Sequence, residues 1–143
     1  MKSKILVFSQ FFIIFLMTLP FGTPTSSLYI GLIISLFGVF VGVMALVKNK
    51  IGNFNIRPDI KDSGALITNG IYGYIRHPMY ASVLVIMFGV IILYPSEFEY
   101  ILYTLLVITL LIKLFYEESL WKFENKRYQE YMQTTKRLIP FVF

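Results

Sequence analysis

The sequence predicts an all-α integral membrane protein, with about four transmembrane helices and a cytoplasmic interfacial helix at its C-terminus. Three observations lead there: the composition, four apolar runs of span length, and basic residues confined to one side of those runs. Of the 143 residues, 57% are hydrophobic and 15% charged, and the mean hydropathy is +0.70, well above an ordinary soluble domain. The length is that of one domain, divided here into a transmembrane helical hairpin over 1–50 and a second region over 51–143 that carries most of the polar residues.

The apolar runs are Ile5–Phe21, Leu28–Val47, Pro78–Tyr94 and Phe98–Phe115, of 17, 20, 17 and 18 residues. They lie at or just below the roughly 20 residues a helix needs to cross a bilayer core. The first is broken by Ser9-Gln10 and ended by Pro20. Preceded by Lys2 and Lys4, it is read as a retained span. A signal peptide is the alternative, although Thr23–Ser27 lacks a clear small-x-small cleavage site. In the second run Gly31, Ser35, Gly38 and Gly42 share one helical face. Gly38 and Gly42 form a small-xxx-small pair that admits a second helix closely. Packing within a monomer is preferred to a dimer seam.

Charge sets the orientation. Lys2 and Lys4 precede the first run; Lys48, Lys50, Arg57, Lys61 and Arg76 separate the second from the third. Lys113, Lys122, Lys126, Arg127, Lys136 and Arg137 stand at or beyond the end of the fourth. Gly22–Ser27 and Pro95–Glu97 contain no basic residue, so all 13 lysines and arginines fall on one side of a four-span topology. The positive-inside rule makes that side cytoplasmic, together with both termini. The net charge of +5 thus reflects topology, and no nucleic-acid partner is expected. With no cysteine and one histidine, disulfides and a thiolate nucleophile are excluded and no metal site is expected.

The connection Lys48–Ile75 is polar and carries turn signals at Arg57-Pro58-Asp59, Asp62-Ser63-Gly64 and Asn69-Gly70. It is read as a cytoplasmic cover over the helix ends. Polar chemistry concentrates just beyond it, in Leu66–Leu84, around the sole histidine, His77. Pro78 suits the first turn of a helix, which puts Arg76 and His77 at the mouth of the third span, where free N–H groups favour an anion. A second cluster follows the fourth span: over Tyr116–Gln133, positions 117, 121, 124, 128 and 131 share a helical face and alternate carboxylates with rings. Lys113 is read as snorkelling to the interface and Tyr74 as a headgroup-level aromatic.

A tight third connection should fold the third and fourth helices into an antiparallel hairpin, returning Glu117-Glu118 to the level of Arg76-His77. A basic helix mouth, two carboxylates and several rings suit S-adenosylmethionine, which combines a carboxylate, a sulfonium and an adenine. A structural charge cluster would look similar, with His77 a cap and Glu118 a solvated charge.

The pattern Leu66-x-Thr68-x-Gly70-x-Tyr72-x-x-x-Arg76-His77-Pro78-x-Tyr80, then Glu117-Glu118-x-Leu120, Tyr128-x-x-Tyr131 and Arg137-x-Ile139-Pro140, resembles the isoprenylcysteine carboxyl methyltransferase family and its bacterial phospholipid-methyltransferase-like relatives. The resemblance covers Leu66–Pro140. It implies an S-adenosylmethionine-dependent membrane methyltransferase acting on a lipophilic acceptor, either an isoprenylcysteine-like carboxylate or a lipid amine, at the cytoplasmic face. It also implies a cofactor site of Tyr72, His77, Pro78, Tyr80, Glu117 and Glu118. Catalytic roles go to Arg76 and Arg137, which would orient the acceptor, and to Glu117, the available base for an acceptor that must lose a proton. The region 51–143 is then catalytic. The chain departs from the family at Ile71 and Gly73, where Pro and Arg are frequent, and at Ser82, where Gly is. The missing basic residue at 73 bears on acceptor recognition. An NADPH-dependent reductase of the sterol type shares a similar Arg-His-Pro-x-Tyr block, but with Asn where this chain has Met79. A non-enzymatic membrane scaffold is the other alternative.

Overall fold

The computed structural model describes residues 2–19, 21–25, 27–50, 53, 56–58 and 65–143. Among them are five α-helices: α1 (Lys2–Met17), α2 (Leu28–Asn49), α3 (Pro78–Leu93), α4 (Glu97–Glu124) and α5 (Lys126–Thr134), with a 3₁₀ turn at Gly70–Gly73. The sole β feature among the described residues is an isolated parallel bridge between Ile75 and Lys136. The turn expected at Asp62-Ser63-Gly64 and the Asp59 of Arg57-Pro58-Asp59 lie outside the described residues. Asn53 ties the same connection to the end of α2: its amide donates to Asn49 Oδ1 at 2.7 Å and to the Ala65 carbonyl at 2.8 Å, and its Oδ1 accepts from Ala65 N at 2.7 Å.

Among the described residues two helices are long and apolar enough to cross a membrane: α2, and α4 over Glu97–Phe123. Helices α1 and α3 have 16 residues each, about 24 Å at the usual rise. Helix α3 starts where the proline placed it, with Pro78 in the first turn and His77 as N-cap. Helix α4 is capped by Ser96, whose Oγ accepts from Glu99 N at 3.2 Å, with Glu97 and Glu99 facing the positive end of its dipole.

One boundary differs from expectation. The fourth span and the polar segment after it form a single helix of 28 residues, so Glu117 and Glu118 stand on α4 itself. Nothing between Tyr116 and Glu124 breaks a helix. Ser119 does not cap, its hydroxyl donating back to the Tyr116 carbonyl at 2.6 Å; the cap is Asn125, whose Oδ1 accepts from Arg127 N at 2.9 Å and starts α5. The face running from 117 to 131 is therefore split between α4 and α5.

Helices α3 and α4 form the expected antiparallel hairpin, with Tyr80 against Glu117 and Phe88 against Tyr103. The two N-terminal helices pack chiefly on this hairpin, α1 against α4 and α2 against α3. The small-residue face of α2 is used within the chain: Gly31 lies against Gly89 and Leu93, Gly38 against Ser82 and Ile86, and Gly42 against Ser82. On the other side Ile13, Met17, Met87, Ile91, Leu102, Leu106 and Leu110 form a buried cluster. Outward, α1 and α2 expose Phe8, Phe15, Ile33, Leu36, Phe37 and Phe40, a surface suited to lipid rather than water.

Lys113 does not snorkel. It is 1% exposed, hydrogen-bonds Gln10 Oε1 of α1 and donates to the Ile56 carbonyl at 3.3 Å. Its position on the inner face of α4, packed by α1, closes the route outward. Tyr74 is 62% exposed.

Candidate active site

The first cluster is assembled by backbone pairing. Lys136 N donates to the Tyr74 carbonyl at 3.3 Å, Arg76 N to the Lys136 carbonyl at 2.7 Å, and His77 N to the Arg137 carbonyl at 3.0 Å. This short parallel ladder satisfies N–H groups just before α3 and sets Arg137 beside Arg76 and His77. The C-terminal segment thus enters the site, although its sequence shows no strand pattern.

Glu118 sits between the two arginines. Its Oε1 accepts from Arg76 Nε at 2.8 Å and its Oε2 from Arg137 Nε at 3.0 Å, with the Glu118 and Arg76 side chains 5% and 4% exposed. A carboxylate this deeply placed is tolerable only when paired and hydrogen-bonded, and the two guanidiniums supply both. Arg76 Nη1 also donates to the carbonyls of Met132 and Thr135 and lies 3.4 Å from Thr135 Oγ1. Arg76 thereby closes the C-terminal end of α5 as well as binding Glu118. Arg137 is more open, with its side chain 30% exposed. Its guanidinium carbon is 5.3 Å from the Phe115 ring centre and 5.2 Å from that of Phe143.

Glu117 has a different environment. Its side chain is 28% exposed, and its Oε2 accepts from the Tyr80 hydroxyl at 2.8 Å. The Tyr80 and His77 rings stack with centres 5.3 Å apart and planes 2° apart. His77 Nδ1 is 3.9 Å from Glu117 Oε2 and Nε2 is 3.4 Å from Glu118 Oε1. Nε2 is buried and faces Glu118 at a distance longer than an ordinary hydrogen bond. Tyr72 lies close enough for the Glu117 charge to act on it: burial pushes its phenol up to about 12, and Glu117 adds to the shift. Burial first, then the charges of Glu118 and Glu117, also raise the Tyr128 phenol. Both rings are neutral donors at physiological pH.

All eight residues singled out from the sequence therefore converge. Tyr72 enters from the 3₁₀ turn, His77, Pro78 and Tyr80 from the start of α3, Arg76 and Arg137 from the ladder, and Glu117 and Glu118 from the last turns of α4. The structure adds others. Tyr131 donates from its hydroxyl to the Tyr72 carbonyl, and its own carbonyl accepts from Thr135 Oγ1 at 2.6 Å. Trp121 and Tyr128 stack at 5.7 Å. Lys113 and Gln10 back the site from beneath. Lys113 carried a signal in the sequence, being the sole basic residue inside an apolar run; Thr135 carried none.

Beside the polar site runs an apolar groove of about 390 Å³, lined by residues of α3 and α4 such as Ala81, Phe88 and Val107, and by Leu138, Ile139 and Phe143 of the C-terminal tail. Phe143, which lines the groove, has its ring centre 5.2 Å from the Arg137 guanidinium carbon.

Two rice proteins, each described as a probable protein-S-isoprenylcysteine O-methyltransferase, from Oryza sativa subsp. indica and subsp. japonica, are 29% identical to the chain over 117 residues. The aligned part is 80% of this chain and 61% of each rice protein, so the chain spans about three fifths of their length. Residues 26–130, more than half of the chain, match the phospholipid methyltransferase family, and the protein belongs to that family.

Proposed function

We propose that the protein is a membrane methyltransferase that takes its methyl group from S-adenosylmethionine and passes it to a lipophilic acceptor at the cytoplasmic face. One juxtaposition carries this reading: Arg137, ion-paired to Glu118 next to the partly exposed carboxylate Glu117, lies against the ring of Phe143, which lines the apolar groove. The residues fit the cofactor. Glu117 offers an anion to its cationic portion, and the rings of Tyr72, His77 and Tyr80 suit a sulfonium or an adenine. When bound, the cofactor supplies a methyl group on a positively charged sulfur, ready for direct displacement. The chain's task is then alignment.

In this reading Arg76 and Glu118 form the frame, and Glu117, His77, Tyr72 and Tyr80 line the cofactor site. Arg137 serves the acceptor, and the groove takes its hydrocarbon portion. A carboxylate acceptor needs only the Arg137 cation; an amine acceptor would lose its proton to Glu117. The membrane arrangement we propose has four crossings, with α1 and α3 as short ones, both termini cytoplasmic, a monomeric unit, and the inner membrane as location if the source is bacterial.

Calorimetric titration of the detergent-purified protein tests this reading. S-adenosylmethionine should bind and NADPH should not. Transfer of labelled methyl to alkyl carboxylates and alkyl amines of increasing length then identifies the acceptor class. Binding should improve by about 0.8 kcal/mol per buried CH₂. Failure to bind S-adenosylmethionine, or equal turnover of a water-soluble acceptor, would refute the assignment.

A further inference from the structure

Lys113 is a basic side chain inside the apolar part of α4, where burial of an ammonium without partners is costly. Its partners come from three other parts of the chain. Gln10 of α1 supplies a side-chain oxygen, Ile56 supplies a carbonyl at 3.3 Å, and the Tyr80 ring centre of α3 lies 5.2 Å from Nζ. Gln10 is itself buried, at 7% exposure. The polar residue that weakens the first run as a span is thus the one that meets the lysine.

The third partner turns this pair from a clasp into part of the site. Tyr80 receives the ammonium at its ring face and holds the Glu117 carboxylate with its hydroxyl at 2.8 Å. Lys113 and Glu117 are one helical turn apart on α4, and the phenol bridges them from α3. A cation on the ring face withdraws electron density and strengthens the phenol as a donor. Among the described residues Glu117 has one hydrogen bond to hold it, whereas Glu118 has two guanidiniums.

We infer that Lys113, held by Gln10, is a positioning residue for Glu117, acting through Tyr80, and that α1 is therefore a component of the cofactor site. The inference rests on the proposed cofactor reading. It assigns a role to a helix that lies outside the stretch matching the family, residues 26–130.

The test must separate positioning from a purely structural clasp. The double variant Gln10→Leu/Lys113→Met replaces a buried polar pair by apolar side chains of similar length, an exchange that is often neutral or stabilising when both partners go together. Thermal unfolding and helical circular dichroism should match the parent. Affinity for S-adenosylmethionine, measured by calorimetry, should fall roughly 3- to 30-fold. In a Glu117→Gln background the same double change should cost almost nothing further, because its effect runs through Glu117. Lys113→Arg, which keeps the cation, should restore part of the lost affinity. Parent-like affinity in a folded double variant would overturn the proposal, as would an equal loss with and without Glu117. If the double variant does not fold, Tyr80→Phe and Lys113→Arg still decide it: with Tyr80 changed, Lys113→Arg should have no effect on affinity, and an unaltered effect would overturn it. A parent that fails to bind at all would instead refute the cofactor reading itself.

Discussion

Helix α2 meets α3 through Gly31, Ser35, Gly38 and Gly42, whereas α1 meets α4 through Ile13, Met17, Leu106 and Leu110. In the first seam backbones nearly touch. A Cβ on Gly38 would lie 2.8 Å from Ile86 N, and two serine hydroxyls cross the seam, Ser35 to the Ile86 carbonyl at 3.2 Å and Ser82 to the Gly38 carbonyl at 2.8 Å. In the second seam long side chains fill the space, and at its site end stands Lys113 with Gln10. The first seam holds the backbone that carries His77 and Tyr80 and leaves little room for adjustment. The second can repack, and what it contributes to the site is a charge. One side of the candidate site is thus set by backbone geometry and the other by electrostatics.

The largest effect expected from breaking this arrangement is at Gly89. Its Cβ would stand 2.1 Å from Ser35 Oγ and 2.6 Å from the Gly31 carbonyl oxygen. Gly89→Leu should therefore abolish folded protein in a detergent-stability assay. Ser35→Gly should not rescue it, because the backbone oxygen remains. Recovery by that second change would show that the seam is set by side chains after all.

Leu106→Ala removes a fully buried side chain from the other seam and should cost about 2–5 kcal/mol by leaving a cavity. The protein should still fold, with a lower unfolding temperature, and Leu106→Met should restore most of the loss. A loss of folding as complete as at Gly89 would erase the contrast between the seams.

The adjacent carboxylates carry the contrast into the site. Glu118→Gln leaves Arg76 and Arg137 facing a neutral group and should cost about 2 kcal/mol of stability. Glu117→Gln should leave stability within about 1 kcal/mol while weakening S-adenosylmethionine binding roughly 10- to 150-fold. Unfolding and calorimetry on both variants would show the two effects on opposite residues. The same pattern for both would mean that frame and ligand site are not separate.

Smaller still is the effect expected at Gly42, whose Cβ would meet only Ser82, at 2.6 Å from Oγ and 3.4 Å from Cβ. Gly42→Ala should cost about 1 kcal/mol as Ser82 turns away and loses its bond to Gly38. With Ser82→Gly present, the added cost of Gly42→Ala should vanish in thermal unfolding. Glu130, exposed on α5, is the control: Glu130→Gln should change stability by less than about 0.5 kcal/mol and leave cofactor affinity unaltered.

Much of this molecule was determined by its sequence alone, wherever the determinant is local. Apolar runs, Pro78 after His77, and the short connection before α4 are enough for a helical hairpin that brings Arg76-His77 level with Glu117-Glu118. The spacing of Gly31, Ser35, Gly38 and Gly42 is likewise enough for a face that admits another helix. Only the tertiary structure decided which helix that is, because a small-residue face accepts any backbone that can reach it, and α3 presents Ser82 and Gly89 at matching heights. It also decided that α4 continues through Glu124, since helix-forming residues on both sides of Phe115 leave no local signal for a break. The division of labour between Glu117 and Glu118 was equally illegible: two neighbouring carboxylates point in different directions from a helix, and which of them meets arginines depends on a tail that pairs with residues about sixty positions earlier. Lys113 makes the same point. A lysine near a helix end will reach for water whenever a path exists, and only the packing of α1 over it removed that path and turned the charge toward Tyr80.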